Sequence, residues 1–149
     1  MFKEILIQLY RRDLNKLKSE VDQYRDETDL WKTGPGITNS AGNLTLHLTG
    51  NLKHFVGGTL GGTGYKRDRD LEFADTGVPK ERLLADIDET AAVIQSVLED
   101  LTEEELAKVY PIDVFGQPMT SAYFLVHLTT HFNYHLGQIN YHRRLLSAD

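Results

Sequence analysis

The chain predicts an all-α protein, a four-helix bundle, on three observations. Four stretches of roughly 17 to 27 residues place apolar side chains at spacings of three and four. Strict alternation of apolar and polar residues, the mark of a strand, is almost absent. The breaks between the stretches fall at glycine and proline clusters. With 149 residues, the chain fits a single domain, residues 1–149, long enough to bury a core.

Residues 2 to about 25 form the first helix, where Tyr10, Leu14, Leu17, Val21 and Tyr24 repeat at 4-3-4-3, extended backwards by Phe2, Leu6 and Leu9. The stretch from Asp26 to Asn39 is a connection, broken at Gly34-Pro35-Gly36, with Trp31 packed beneath it. Ser40 caps the second helix, which runs to about Val56 with Leu44, His47 or Leu48, Asn51 or Leu52, and Phe55 inward; Gly42 and Gly50 weaken it. A long loop follows, Gly-rich from Gly57 to Gly64. The third helix spans about Lys80 to Leu101, with Pro79 suited to a first turn and Leu84, Ile87, Ala91, Ile94, Leu98 and Leu101 inward. Thr102 to Glu105 has capping-box spacing and starts one short turn. Val109 to Met119, with Pro111, Gly116 and Pro118, is a second long loop with room for a brief extended piece, and Thr120 caps the fourth helix. The long loops between helices 2 and 3 and between 3 and 4 leave simple up-down-up-down order unassured.

Composition narrows the function. A net charge of −6 and a pI near 5.5 argue against a nucleic-acid binder, which needs a basic face. No run approaches the ~20 apolar residues of a membrane span, and no secretory-type leader precedes the first helix, so the expected location is cytoplasmic. Zero cysteines exclude disulfides, thiolate ligands and a catalytic cysteine from this chain.

The chemistry concentrates in Ser121 to Leu146, which holds four of the six histidines. His127, His131 and His135 recur every four residues and His142 follows seven later. At about 100° per residue all four lie on one narrow side, the side of Phe124, Leu128 and Ile139. One histidine on an apolar face is ordinarily a hydrogen-bonded core residue. Four are harder to satisfy that way, and a pair at i, i+4 chelates a transition metal when another helix supplies a third ligand. The second helix offers His47 and His54, and His47 lies on the inward side beside Leu48. Three neutral imidazoles with the fourth position open is the catalytic rather than the closed structural pattern. Spacing alone does not choose between the pairs His127/His131 and His131/His135.

The segment His127 to Ile139, with His131, His135, Gly137 and Gln138 in the pattern H-x-x-x-H-x-G-Q, resembles the last helix of the DinB-like superfamily of metal-binding four-helix bundles. Asn39 to Leu52 resembles the family's region ending in its third ligand. The resemblance spans most of the chain in helix order, and these two segments carry it. It implies a divalent metal, zinc or nickel, on His47, His131 and His135, and a homodimer. His127 becomes a neighbour one turn away, and Asn51 and Gln138 are candidates to hydrogen-bond the ligand imidazoles. It further implies a metal-dependent enzyme acting on a small molecule, either a thiol-dependent S-transferase using a low-molecular-weight thiol cosubstrate or a hydrolase. The alternative is a non-catalytic dimeric bundle, a stress-related interaction module in which the metal is structural and His127 closes the fourth position. No glutamate sits beside the histidine pair as in H-E-x-x-H, which disfavours a metalloprotease.

The Gly57–Gly64 loop lacks the G-K-[ST] of a phosphate loop and reads as a flexible connector. Arg67 and Arg69 are candidates to fold over the metal mouth and take a substrate carboxylate. Asp68, Asp70 and Glu72 are expected to pair with those bases on the surface. Tyr123, Tyr134 and Tyr141 read as packing or dimer-face residues.

Overall fold

Each of the four amphipathic stretches folds as a helix close to its expected bounds. The computed structural model describes residues 1–147. Helix α1 is Phe2–Asp22, α2 is Ala41–Leu52, α4 is Lys80–Asp100 and α6 is Ser121–Leu146; two short helices, α3 (Arg69–Ala74) and α5 (Glu103–Ala107), lie in the connections. Among the described residues there is no strand, only two isolated bridges. One of these, Val109 with Thr120, is the brief extended piece expected in the second long loop.

Local chemistry sets the ends. The Ser40 hydroxyl accepts from Asn43 N to start α2, and the Thr120 hydroxyl accepts from Tyr123 N to start α6. Thr102 and Glu105 form a reciprocal capping box at α5. Pro79 sits at the cap of α4 rather than within its first turn. Beyond Leu52 the second helix widens into a π-type turn, Lys53–Gly58. Gly57 and Gly58 there are poor α-formers, and such turns recur beside functional sites.

Helix α1 packs on α4 and α6, and α2 packs on α6 and α4, so the four long segments close a ring around one core. Their directions follow from paired contacts. Tyr10 donates to the Leu125 carbonyl and Tyr24 pairs with His142, so α1 and α6 run parallel. Lys3 reaches the Glu99 carbonyl while Lys18 reaches Asp88, so α1 and α4 run antiparallel. His47 meets His131 while Phe55 meets Phe124, so α2 and α6 run antiparallel. The order is therefore up, down, down, up. Because α2 and α4 point the same way, the chain between them must return along the bundle, which is why that loop is long.

Two inward assignments on α4 shift by one residue. Leu83 and Thr90 are buried where Leu84 and Ala91 were expected, and Leu84 and Ala91 are only half-buried at the core's edge. Ile87, Ile94, Leu98 and Leu101 are buried as expected. No described helix is long and apolar enough to cross a membrane.

The short 3₁₀ turn Glu27–Trp31 brings the Trp31 indole against α2 at Gly42, where an added Cβ would lie 2.6 Å from the ring. Helix propensity alone makes Gly42→Ala stabilising by up to about 1 kcal/mol. Overpacking against Trp31 opposes this with about 1–3 kcal/mol. Urea denaturation is expected to show the variant less stable than the parent, by up to about 2 kcal/mol.

Candidate metal centre

His47 projects from the middle of α2, and His131 and His135 from successive turns of α6, at the contact between these antiparallel helices. One nitrogen from each ring lies within 4.8 Å of the other two. His47 Nε2 and His131 Nε2 are 3.2 Å apart. Two nitrogens on one tetrahedral ion with bonds of about 2.0–2.1 Å stand about 3.3 Å from each other, so the pair already has ligand-like separation. The rings meet edge to face, with centroids 5.1 Å apart for His47 and His131 and 4.7 Å for His131 and His135.

Each ring has a distinct setting. His47 is 5% exposed, and its Nδ1 lies 3.1 Å from Glu72 Oε1. Its face packs on Phe73, 4.8 Å between centroids. His135 Nδ1 donates to Gln138 Oε1 at 2.7 Å, which leaves Nε2 for the cluster. His131 Nδ1 is buried with no hydrogen-bond partner. An orphaned buried nitrogen is costly in a ring whose other nitrogen faces a second imidazole. Donor type and separation together fit a cation held between the rings.

Burial pushes the His131 pKa down to about 4, helped by the neighbouring His135 and His47 and, more weakly, by His127 and Arg67. Burial also lowers His135. Both rings are therefore neutral near pH 7, the form that ligates metals. Glu72 shows the opposite balance: burial raises its carboxyl, but hydrogen bonds from His47 and Arg67 and the charge of Arg67 outweigh this and hold it low.

The remaining histidines separate cleanly. His127 lies one turn before His131, stacked on Phe124 and edge-on to Phe115, outside the cluster. His142 is a core residue: Nδ1 accepts from Tyr24 at 2.7 Å and Nε2 donates to the Lys32 carbonyl at 2.8 Å. His54 packs on Phe55 in the π-type turn. Asn51 is buried one turn beyond His47, but the partner of His47 Nδ1 is Glu72.

The long loop also differs from expectation. Glu72 is not a surface partner; it is 7% exposed, carried inward by α3. Arg67 does reach the site, where it grips both Glu72 oxygens, Nε to Oε2 and Nη2 to Oε1, each at 2.9 Å. Arg69 instead lies over the Phe73 ring. Gly57 and Gly61 let the loop lie close on α4, where added Cβ atoms would meet Val93 and Val97. Sequence reading missed Glu72 and Phe73 because α3 is only six residues long and has no full period to reveal its inward face. The available signal was Asp68, which caps α3 by accepting from Leu71 N.

The family model described as a protein of unknown function, DUF1572, matches residues 2–149. The chain belongs to the DUF1572 family. Among solved structures, this DUF1572 chain resembles a DinB-like protein from Bacillus cereus, at 21% identity and a TM-score of 0.73 over 97% of this chain and 93% of that one. It also resembles a conserved protein from Enterococcus faecalis, at 18% identity and a TM-score of 0.75 over 96% and 95% of the two chains. These likenesses establish a DinB-like fold. No curated protein matches the sequence.

The depressed His131 pKa predicts how the metal-free protein responds to acid. The unfolded ring takes a proton near pH 6.5, whereas the folded ring resists until about pH 4. The contribution of this ring to stability is complete above about pH 6.5 and is lost as the pH falls to about 4. Denaturant titrations with a chelator present are expected to show that loss. A His131→Gln variant is expected to show a shallower decline in the same window.

Proposed function

We propose that this DUF1572 protein holds a divalent transition metal, zinc or nickel, on His47, His131 and His135 and uses it on a small molecule. The observation that carries this reading is the convergence of three buried or half-buried imidazoles from two helices, with facing Nε2 atoms 3.2 Å apart. A divalent ion held there supplies Lewis acidity, which acidifies a water or a thiol and polarises an acceptor group. The reaction class is a thiol-dependent S-transfer or a hydrolysis. Because the chain contains no cysteine, the thiol in the first case is a low-molecular-weight cosubstrate.

The chain's own groups define the rest of the site. Imidazole ligates as a neutral donor, and Arg67 and Glu72 cancel each other's charge, so the double positive charge of an ion held there would stay uncompensated and favour an anionic group in the remaining position. His127, packed between Phe115 and Phe124, lies outside the trio and one turn from it, which supports an open fourth position over a closed structural site. Glu72 does not serve as a mobile general base, since both oxygens are gripped by Arg67. The exposed Tyr123, Tyr134 and Tyr141 on α6 support a homodimer through that helix, and the cytoplasm is the proposed compartment.

Metal analysis of native protein is expected to find about one ion per chain, lost in His47→Ala and in His135→Ala. Undiminished metal in both variants would overturn the site. Cobalt-loaded protein titrated with a small thiol is expected to develop a sulfur-to-cobalt charge-transfer band; an unchanged spectrum would favour a site closed by protein ligands.

A further inference from the structure

The carboxylate buried behind His47 is costly to place there, and three features arrange it. Removing a carboxylate from water is unfavourable unless charge and hydrogen bonds compensate. Arg67 supplies both, through two parallel bonds of 2.9 Å. Asn43, from the first turn of α2, donates to the Glu72 and Asp75 carbonyls at 3.0 and 2.8 Å and ties α3 down on α2. Gly50 supplies the space: a Cβ there would stand 2.0 Å from Glu72 Oε2. A residue that weakens α2 is thus the one that lets the carboxylate approach.

Glu72 Oε1 faces His47 Nδ1 at 3.1 Å, on the opposite side of the ring from the Nε2 that meets the cluster. An ionised carboxylate only accepts, so the Nδ1 facing it must carry the proton. Arg67 Nη2, also a donor, stands farther from the same Nδ1, at 3.3 Å, and gives its hydrogen to the shared Oε1 at 2.9 Å, so it does not claim the Nδ1 lone pair. Nε2 is then left with its lone pair, directed at His131 and His135.

We propose that Glu72 is a positioning residue, which fixes His47 as the Nδ1–H tautomer and aims its Nε2 lone pair into the trio. The loop between α2 and α4 is thereby part of the centre, with Arg67 holding the Glu72 carboxylate in place through its two bonds and Gly50 admitting it. The effect on metal affinity rests on the metal-binding reading above; the effect on the tautomer does not. Gln138 does for His135 with a neutral acceptor what Glu72 does for His47 with a charged one.

The test pairs two readouts on the full chain. In metal-free protein near neutral pH, ring 15N shifts are expected to report His47 as Nδ1–H in the parent and as a mixture in Glu72→Ala. In zinc titrations against a competing chelator, Glu72→Ala is expected to bind about 10–100-fold more weakly, with Glu72→Gln intermediate. Gly50→Ala is expected to match Glu72→Ala although it touches no ligand, and Leu71→Ala, exposed on the same short helix, to match the parent. An Nε2–H tautomer in the parent, or equal zinc affinity in Glu72→Ala and Glu72→Gln, would overturn the proposal. If the parent takes up no zinc yet its His47 tautomer responds to Glu72→Ala, the metal reading fails and the positioning role stands.

Discussion

Two imidazole nitrogens 3.2 Å apart, one on α2 and one on α6, are the contact on which the rest of the molecule depends. Lone pairs at that distance repel unless a proton or a cation lies between them. Bringing them together requires α2 and α6 to run antiparallel at the right register, with His47 opposite His131. The lower turns of the same pair are set by Phe55 against Phe124, 5.2 Å between centroids, and by Tyr110, whose hydroxyl donates to the Phe55 carbonyl. The aromatic packing at one level fixes the imidazole meeting two turns away.

Register on the other side of α6 is held by polar pairs with α1. Asp13 accepts from Asn133 and Glu20 accepts from Asn140, each at 2.7 Å, and Arg143 closes on Glu20. Both pairs are offset by 120 residues, so they repeat every seven residues along two parallel helices. A slide of α6 by one turn would take both Asn140 and Arg143 from the buried Glu20 and leave the buried Asp13 with only Arg12 of its own helix, a larger loss than shifted apolar contacts. The acidic groups of α1 therefore help decide where His131 and His135 stand, although they lie away from the cluster. The topology contributes as well, because parallel α2 and α4 force a long return, and that return carries Arg67, Glu72 and Phe73 to His47.

Much of this was legible in the chain itself. The four long helices, their Ser40 and Thr120 caps and the Thr102 capping box follow from spacing and end chemistry, which are local. His131 and His135 stand one helical turn apart, so their adjacency is also local. His47 required a partner helix, and resemblance to DinB-like proteins rather than periodicity selected it. Glu72 was misread as a surface charge because its environment is built from Gly50, Arg67 and His47, which meet only through the crossover. His142 shared the stripe of the other histidines, yet a helix of 26 residues carries it beyond the cluster to Tyr24.

X-ray absorption at the edge of a zinc-loaded sample tests the central claim most directly. The account predicts outer-shell scattering from three imidazoles, with nitrogen at about 2.0–2.1 Å, and a single further light-atom or anionic ligand that exchanges when a thiol is added. A fit requiring fewer than three imidazoles, or four with no exchangeable ligand, would contradict it.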